Sequence, residues 1–178
     1  MNNFSKILKE NLYGVIATQD GKKVKTRVFQ YLFTQDDKFY FGTTNNKPVY
    51  DQLQANPYVS FCTFSSDFSP VLSLNGQAVF VNDMNLKTRA MDEYPSIREL
   101  YKSPDNPIFE IFYIDVDEIV TFSFQDGQKI YTFKAESKLE YLSSDEETMS
   151  IYYAREKSLH EQANLVNSAE ERGKEQGI

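Results

Sequence analysis

The sequence predicts a mainly β fold, an antiparallel barrel or sandwich carrying a few short helices, and three observations lead there. Short β-branched and aromatic runs are separated by tight turns, two of which, Asp20-Gly21 and Asp126-Gly127, carry the Asp-Gly pair that hairpin turns favour. Only two internal regions have helical spacing, too few to cross over between the strands of a parallel sheet. All fourteen Phe lie before residue 135, and Trp is absent, so the core belongs to that part of the 178-residue chain.

Phe4, Ile7 and Leu8 recur at helical spacing and predict a short amphipathic helix ending near Tyr13-Gly14. Gly14 to Gln19 and Val24 to Phe33 form the first hairpin. Thr34-Gln35-Asp36-Asp37 turns the chain into a third strand, Lys38 to Thr43. In Thr44-Asn45-Asn46-Lys47-Pro48, Asn suits an N-cap and Pro the first helical turn, so a helix follows through Val49 and Leu53 and stops by Asn56-Pro57. Strands Tyr58 to Ser65 and Val71 to Asn82 flank a loop. Asp83 and Asn85 can cap a helix through Met91, and Pro95 breaks it before a short helical piece toward Tyr101. Three more strands are expected: Ile108 to Asp115, Glu118 to Phe124 and Gln128 to Phe133.

From about Ala135 the composition turns to Glu, Ser, Lys and Gln, which divides the chain into a domain over 1–134 and an acidic helical extension over 135–178. Met149, Tyr152, Leu159, Ala163 and Val166 place one apolar stripe on that extension. The stripe packs on the barrel or a twin subunit, docks another protein, or belongs to a frayed tail.

The net charge of −7 is unevenly spread: acids exceed bases by two in residues 1–134 and by five in 135–178. An acidic balance repels a nucleic-acid backbone, so nucleic-acid binding is not expected, although one local basic pocket can still take a small phosphorylated ligand. The single Cys62 makes no internal disulfide and reads as an inert packing residue, with cytoplasmic residence expected. No apolar run is long enough for a membrane helix.

Candidate chemistry gathers around residues 43–47. Thr43 and Thr44 end a strand, and Asn46 and Lys47 open a helix whose first N–H groups are spare, a combination suited to a terminal phosphate or to ordinary capping. Arg27 sits mid-strand between Lys25 and Phe29, with Tyr31 on the same face, and offers a bidentate fork to the same anion or a solvated surface group. Phe29, Tyr31 and Phe68 are candidates for shaping access to a planar ring. His160 on its charged segment reads as a surface residue, and Asp115, Asp117 and Glu118 as a solubilising turn between strands; no metal site is expected.

The stretch from Gly14 to Ser60, in particular Gly14-Val15-Ile16-Ala17-Thr18, Thr26-Arg27-Val28, Phe39 to Thr44, Lys47 and Gln52 to Val59, resembles the pyridoxamine 5′-phosphate oxidase-like FMN-binding split-barrel family. The likeness extends over about residues 4–134 and includes Val71 to Ala78 with its Gly76-Gln77-Ala78 step. It implies an antiparallel split β-barrel of six to eight strands that forms a homodimer, with FMN at the subunit interface. By the same resemblance Arg27, Thr43, Thr44 and Lys47 surround the phosphate, while Val28, Phe29 and Gln30 lie beside the isoalloxazine; Asn46 is added from helix capping. The oxidases proper end in a substrate-binding segment with Trp, Arg and His. This chain has no Trp and a single His, and it carries Ser73 where the family tends to place Arg.

These observations lead to an oxidoreductase passing electrons from a nicotinamide or other donor to a small-molecule substrate, with no catalytic side chain assigned. The rival is a non-catalytic flavin store or sensor, or a barrel without its cofactor, acting through the C-terminal helix.

Overall fold

A computed structural model describes residues 2–133 of the chain. Helix α1 (Asn2–Glu10) leads into the hairpin of β1 (Tyr13–Asp20) and β2 (Lys23–Gln35), turned at Gly21 with φ of 59°. Asp36 and Asp37, both at positive φ, make the next tight turn into β3 (Lys38–Thr44). Helix α2 (Pro48–Ala55) is followed by β4 (Tyr58–Phe64), β5 (Val71–Val81), the helices α3 (Met84–Glu93) and α4 (Pro95–Tyr101), β6 (Phe109–Ser123) and β7 (Gly127–Thr132).

All neighbouring strands pair antiparallel in the order β3-β2-β1-β4-β5-β6-β7, and a further pairing of β3 with β6, from Phe39↔Ile114 to Thr44↔Phe109, closes six strands into a barrel. β7 hangs on β6 outside the ring. The expected antiparallel split barrel with a few short helices is therefore what the chain forms. The C-terminal helix expected within 135–178 lies outside the described residues.

Two apolar layers explain the sequence pattern. Phe39, Phe41, Phe61, Leu74 and Phe112 fill the barrel, joined by Leu8 of α1 and by Val49 and Leu53 of α2. Leu32, Phe33, Tyr40 and Phe109 face outward but are covered by Leu86, Ala90 and Met91 of α3 and Tyr101 of α4. β2 and β3 are thus buried on both faces, which is why Tyr31-Leu32-Phe33 and Phe39-Tyr40-Phe41 run continuously apolar instead of alternating. Asp83 caps α3, its carboxylate accepting from the backbone of Asn85 at 2.7 Å.

One expectation fails here. Residues 108–115 and 118–124 were predicted to form two strands with an acidic turn between them, but they form the single strand β6. Its register with β5 passes from Asn75↔Glu118 to Gly76↔Val116, so Asp117 is one extra residue, a bulge and not a turn. Gly76 permits it: a Cβ there would lie 2.2 Å from the backbone oxygen of Asp115.

Candidate functional site

Val28 and Gln30 on β2 face away from the barrel axis at the strand's unsheltered half, and with Phe29 they form one wall of a cleft of about 240 Å³. Thr43 at the end of β3 and Lys47 form the polar end, while Ile97, Leu100 and Tyr101 of α4 with Phe109 of β6 form the opposite wall. Tyr101 stacks on Phe109 with ring centroids 4.2 Å apart, a flat aromatic base. Val28 and Leu100 are 69% and 66% exposed, apolar rims with nothing over them among the described residues. A larger hollow, about 330 Å³, lies over Val24, Tyr58, Asn75 and Asp117 on the barrel wall. Volume does not choose between them; polar chemistry does.

Among the described residues, the buried side-chain atoms left without a hydrogen-bond partner are Thr43 Oγ1 and Thr44 Oγ1. The two residues are 2% and 5% exposed. Each orphaned hydroxyl costs about 1–3 kcal/mol relative to a satisfied one, so two in succession mark a place where acceptors are missing. The strand around them is intact, since Thr43 pairs with Glu110 and Thr44 with Phe109.

Lys47, exposed, is the N-cap of α2 and provides no side-chain cap, with Pro48 in the first turn. The expectation that an Asn caps this helix is corrected. Pro48 holds the residue before it in extended backbone, φ −102° and ψ 144°, which makes Lys47 the boundary. Asn46 is an exposed turn residue, and Asn45 instead donates to the Pro107 carbonyl at 2.7 Å and to Glu110 Oε1 at 3.1 Å. The first-turn donors of α2 thus have no side-chain acceptor from the cap, and the dipole end faces the same neighbourhood as Thr44, whose carbonyl accepts from the Lys47 backbone at 3.2 Å.

Arg27 stands apart from the cleft lining. Its Nη1 donates to Thr18 Oγ1 at 2.6 Å and its Nη2 to Gln52 Oε1 at 2.8 Å, which ties β2 to β1 and α2. Partial burial lowers its pKa from the ordinary guanidinium value, and the Asp20 carboxylate opposes that shift. Of the eight expected residues, then, Val28, Phe29, Gln30, Thr43 and Lys47 share the cleft. Thr44 and Asn46 adjoin its polar end in sequence, and Arg27, outside the cleft lining, bonds to Gln52 of α2.

Tyr31 does not shape access to any ring. It is fully buried in the barrel and shares a hydrogen bond of 2.7 Å with Thr34. Phe68 is exposed and stacks on Phe64, centroids 5.3 Å apart, away from the cleft lining. Cys62 is half-buried on β4, and no group of three or more metal-ligating side chains occurs among the described residues. His160 lies outside them. Sequence reasoning missed Ile97, Leu100, Tyr101 and Phe109; Ile97 and Tyr101 fall four apart on α4, a signal that the helix buries one face but not which cleft it borders.

The family model described as pyridoxamine 5′-phosphate oxidase matches residues 2–123. Among solved structures, a NimC/NimA family protein of Clostridium acetobutylicum is 25% identical, with a TM-score of 0.67 over 75% of this chain and 93% of that one. A pyridoxamine 5′-phosphate oxidase-related, FMN-binding protein of Nostoc punctiforme is 14% identical, with a TM-score of 0.52 over 72% of this chain and 87% of that one. A heme-binding protein of Mycobacterium smegmatis shares the fold at 15% identity and a TM-score of 0.60, over 79% of this chain and 66% of that one. No curated protein sequence matches significantly. With the family model spanning well over half of its length and the six-stranded barrel behind it, the chain belongs to the pyridoxamine 5′-phosphate oxidase family.

Proposed function

We propose that the protein is an FMN-binding flavoprotein, a cytoplasmic homodimer that moves electrons between a nicotinamide or other donor and a small-molecule acceptor. The observation that carries this reading is the pair of unpartnered, buried hydroxyls of Thr43 and Thr44 beside Lys47 and the open start of α2. Donors without acceptors, a cation and a helix dipole fit a phosphate group. Val28, Phe29 and Gln30 would lie against the flavin ring, with Tyr101 and Phe109 as an aromatic backing.

When bound, the flavin supplies hydride or electron transfer. The chain's own residues bind and orient it: Lys47 and the Thr43 and Thr44 hydroxyls hold the phosphate end, and the apolar walls keep water from the ring. Family membership and an FMN-binding relative of the same fold support the cofactor.

The outer face of β2, β1 and β4 supports the dimer. Val15 pairs in register with Val28 on one side and Cys62 on the other, and Tyr13, Val15, Val28 and Tyr58 are 65%, 39%, 69% and 60% exposed. A contiguous apolar sheet face that reaches the cleft rim fits a second copy covering both. No helix among the described residues is long and apolar enough to cross a membrane.

The experiment is anaerobic: FMN-loaded protein is mixed with NADH or NADPH, and loss of the oxidised flavin absorbance is followed by reoxidation with a quinone. Reduction and reoxidation by these partners support the oxidoreductase. Bound flavin that neither nicotinamide nor dithionite followed by quinone can cycle makes the protein a flavin store or sensor instead.

A further inference from the structure

Three side chains from three elements form a closed ring of hydrogen bonds. Arg27 of β2 donates to Thr18 of β1 at 2.6 Å and to Gln52 of α2 at 2.8 Å, and the Thr18 hydroxyl donates to the same Gln52 oxygen at 2.8 Å. Thr18 is 2% exposed and Gln52 9%, and neither lines the cleft. Gln52 stands on the packed face of α2 next to Leu53 and one turn after Val49, a place where an aliphatic side chain would serve burial better.

Apolar contacts from Val49 and Leu53 hold α2 down, but they are non-directional and tolerate sliding and rotation of the helix. Hydrogen bonds to one oxygen from two differently placed donors do not, and the one from Arg27 is charge-assisted. Gln52 lies one turn beyond Pro48, so fixing its oxygen fixes where Lys47 and the helix start stand relative to the end of β3.

We propose that Gln52, held by Arg27 and Thr18, is a positioning residue for the polar end of the cleft, aligning the start of α2 so that Lys47 and the hydroxyls of Thr43 and Thr44 converge on one phosphate. The inference rests on the flavin reading above. Two of the five N–H donors of Arg27 are committed to the ring.

FMN and riboflavin differ only in the phosphate, so the ratio of their affinities isolates this end of the site from the ring. Both are titrated by flavin fluorescence into the wild type, Gln52→Leu and Gln52→Glu, and amide exchange across Val49–Leu53 is measured without flavin. In Gln52→Leu the FMN affinity should fall about tenfold while riboflavin affinity stays within about twofold, and α2 exchange should accelerate. In Gln52→Glu, whose carboxylate still accepts both bonds, the preference for FMN should stay within about threefold of wild type. An unchanged FMN-to-riboflavin ratio in Gln52→Leu overturns the inference, as does an equal loss of both ligands, which a purely structural role would give. A wild type that binds neither flavin overturns the flavin reading itself, a result distinct from either.

Discussion

The ladder between β5 and β6 and the end of β3 are built to opposite standards. Along the first, eleven residue pairs run from Val71↔Phe122 to Val81↔Ile111, and the backbones approach so closely at the Asp117 bulge that only glycine fits at position 76. At the second, the backbone pairing is equally regular, yet two consecutive buried hydroxyls have no partner and the adjoining helix opens without a side-chain cap. Imperfect folding does not account for the difference, because the strand carrying the orphaned groups belongs to the closed barrel. Among the described residues, the buried hydroxyls without a partner adjoin the cleft whose apolar rims are left uncovered, and a ligand carrying anionic oxygens would answer that demand.

Substitutions at either region separate the two. Gly76→Ala should have the largest effect, lowering the free energy of unfolding by about 3 kcal/mol or more, read as a shift of the urea midpoint, because the new Cβ collides with backbone and not with a movable side chain. Val15→Glu comes next. Burying a carboxylate in the proposed subunit contact should weaken dimerisation by about 2–3 kcal/mol, so that light scattering finds monomer while the monomer's fold survives.

At the polar end of the cleft, Lys47→Ala should weaken FMN binding by about 1–3 kcal/mol and move stability by less than about 0.5 kcal/mol, since the exposed ammonium supports a ligand and not the fold. Thr43→Val should act with opposite signs on the two measurements. Removing an unpartnered hydroxyl while keeping the shape should leave the flavin-free protein equally stable or about 1 kcal/mol more stable, yet FMN should bind less tightly. A Thr43→Val protein that loses stability and keeps its FMN affinity would show that the hydroxyl serves the barrel.

A separate effect appears only at high pH. Burial pushes the Tyr31 hydroxyl up to about 12, partly offset by its bond with Thr34, against an unfolded value near 10. Below about pH 10 the group is neutral in both states and its contribution is intact. Between about 10 and 12 the unfolded chain ionises first, so stability falls as pH rises. Tyr31→Phe should flatten part of that decline in unfolding free energies measured from pH 9 to 12; Tyr40, Tyr94 and Tyr101, also raised by burial, sustain the remainder.

The barrel was legible in the sequence wherever local chemistry dictates it. The Asp20-Gly21 turn, the Pro48 helix start and the Asp83 cap each have a short-range cause, and each stands where its residues indicate. The bulge at Asp117 was not legible, because an acidic run reads as a turn unless its partner strand is known to place a glycine opposite. The Thr43 and Lys47 end of the cleft was readable for the same local reasons as the turns. Arg27 shows the limit: alternation gave its face correctly, but its partners, Thr18 and Gln52, are 9 and 25 residues away, and no period links them. The wall from α4 was hidden likewise, since Ile97 and Leu100 border β2 only because α3 and α4 fold over its outer face.

Whether the orphaned hydroxyls at the end of β3 bind a flavin phosphate is decided by titrating the purified protein with FMN and following flavin fluorescence. Phosphate binding there gives saturable quenching at one FMN per protomer, stronger than with riboflavin, and a higher melting temperature in the loaded protein. A protein whose melting temperature FMN leaves unmoved, and which leaves FMN fluorescence unchanged at every concentration, would contradict it.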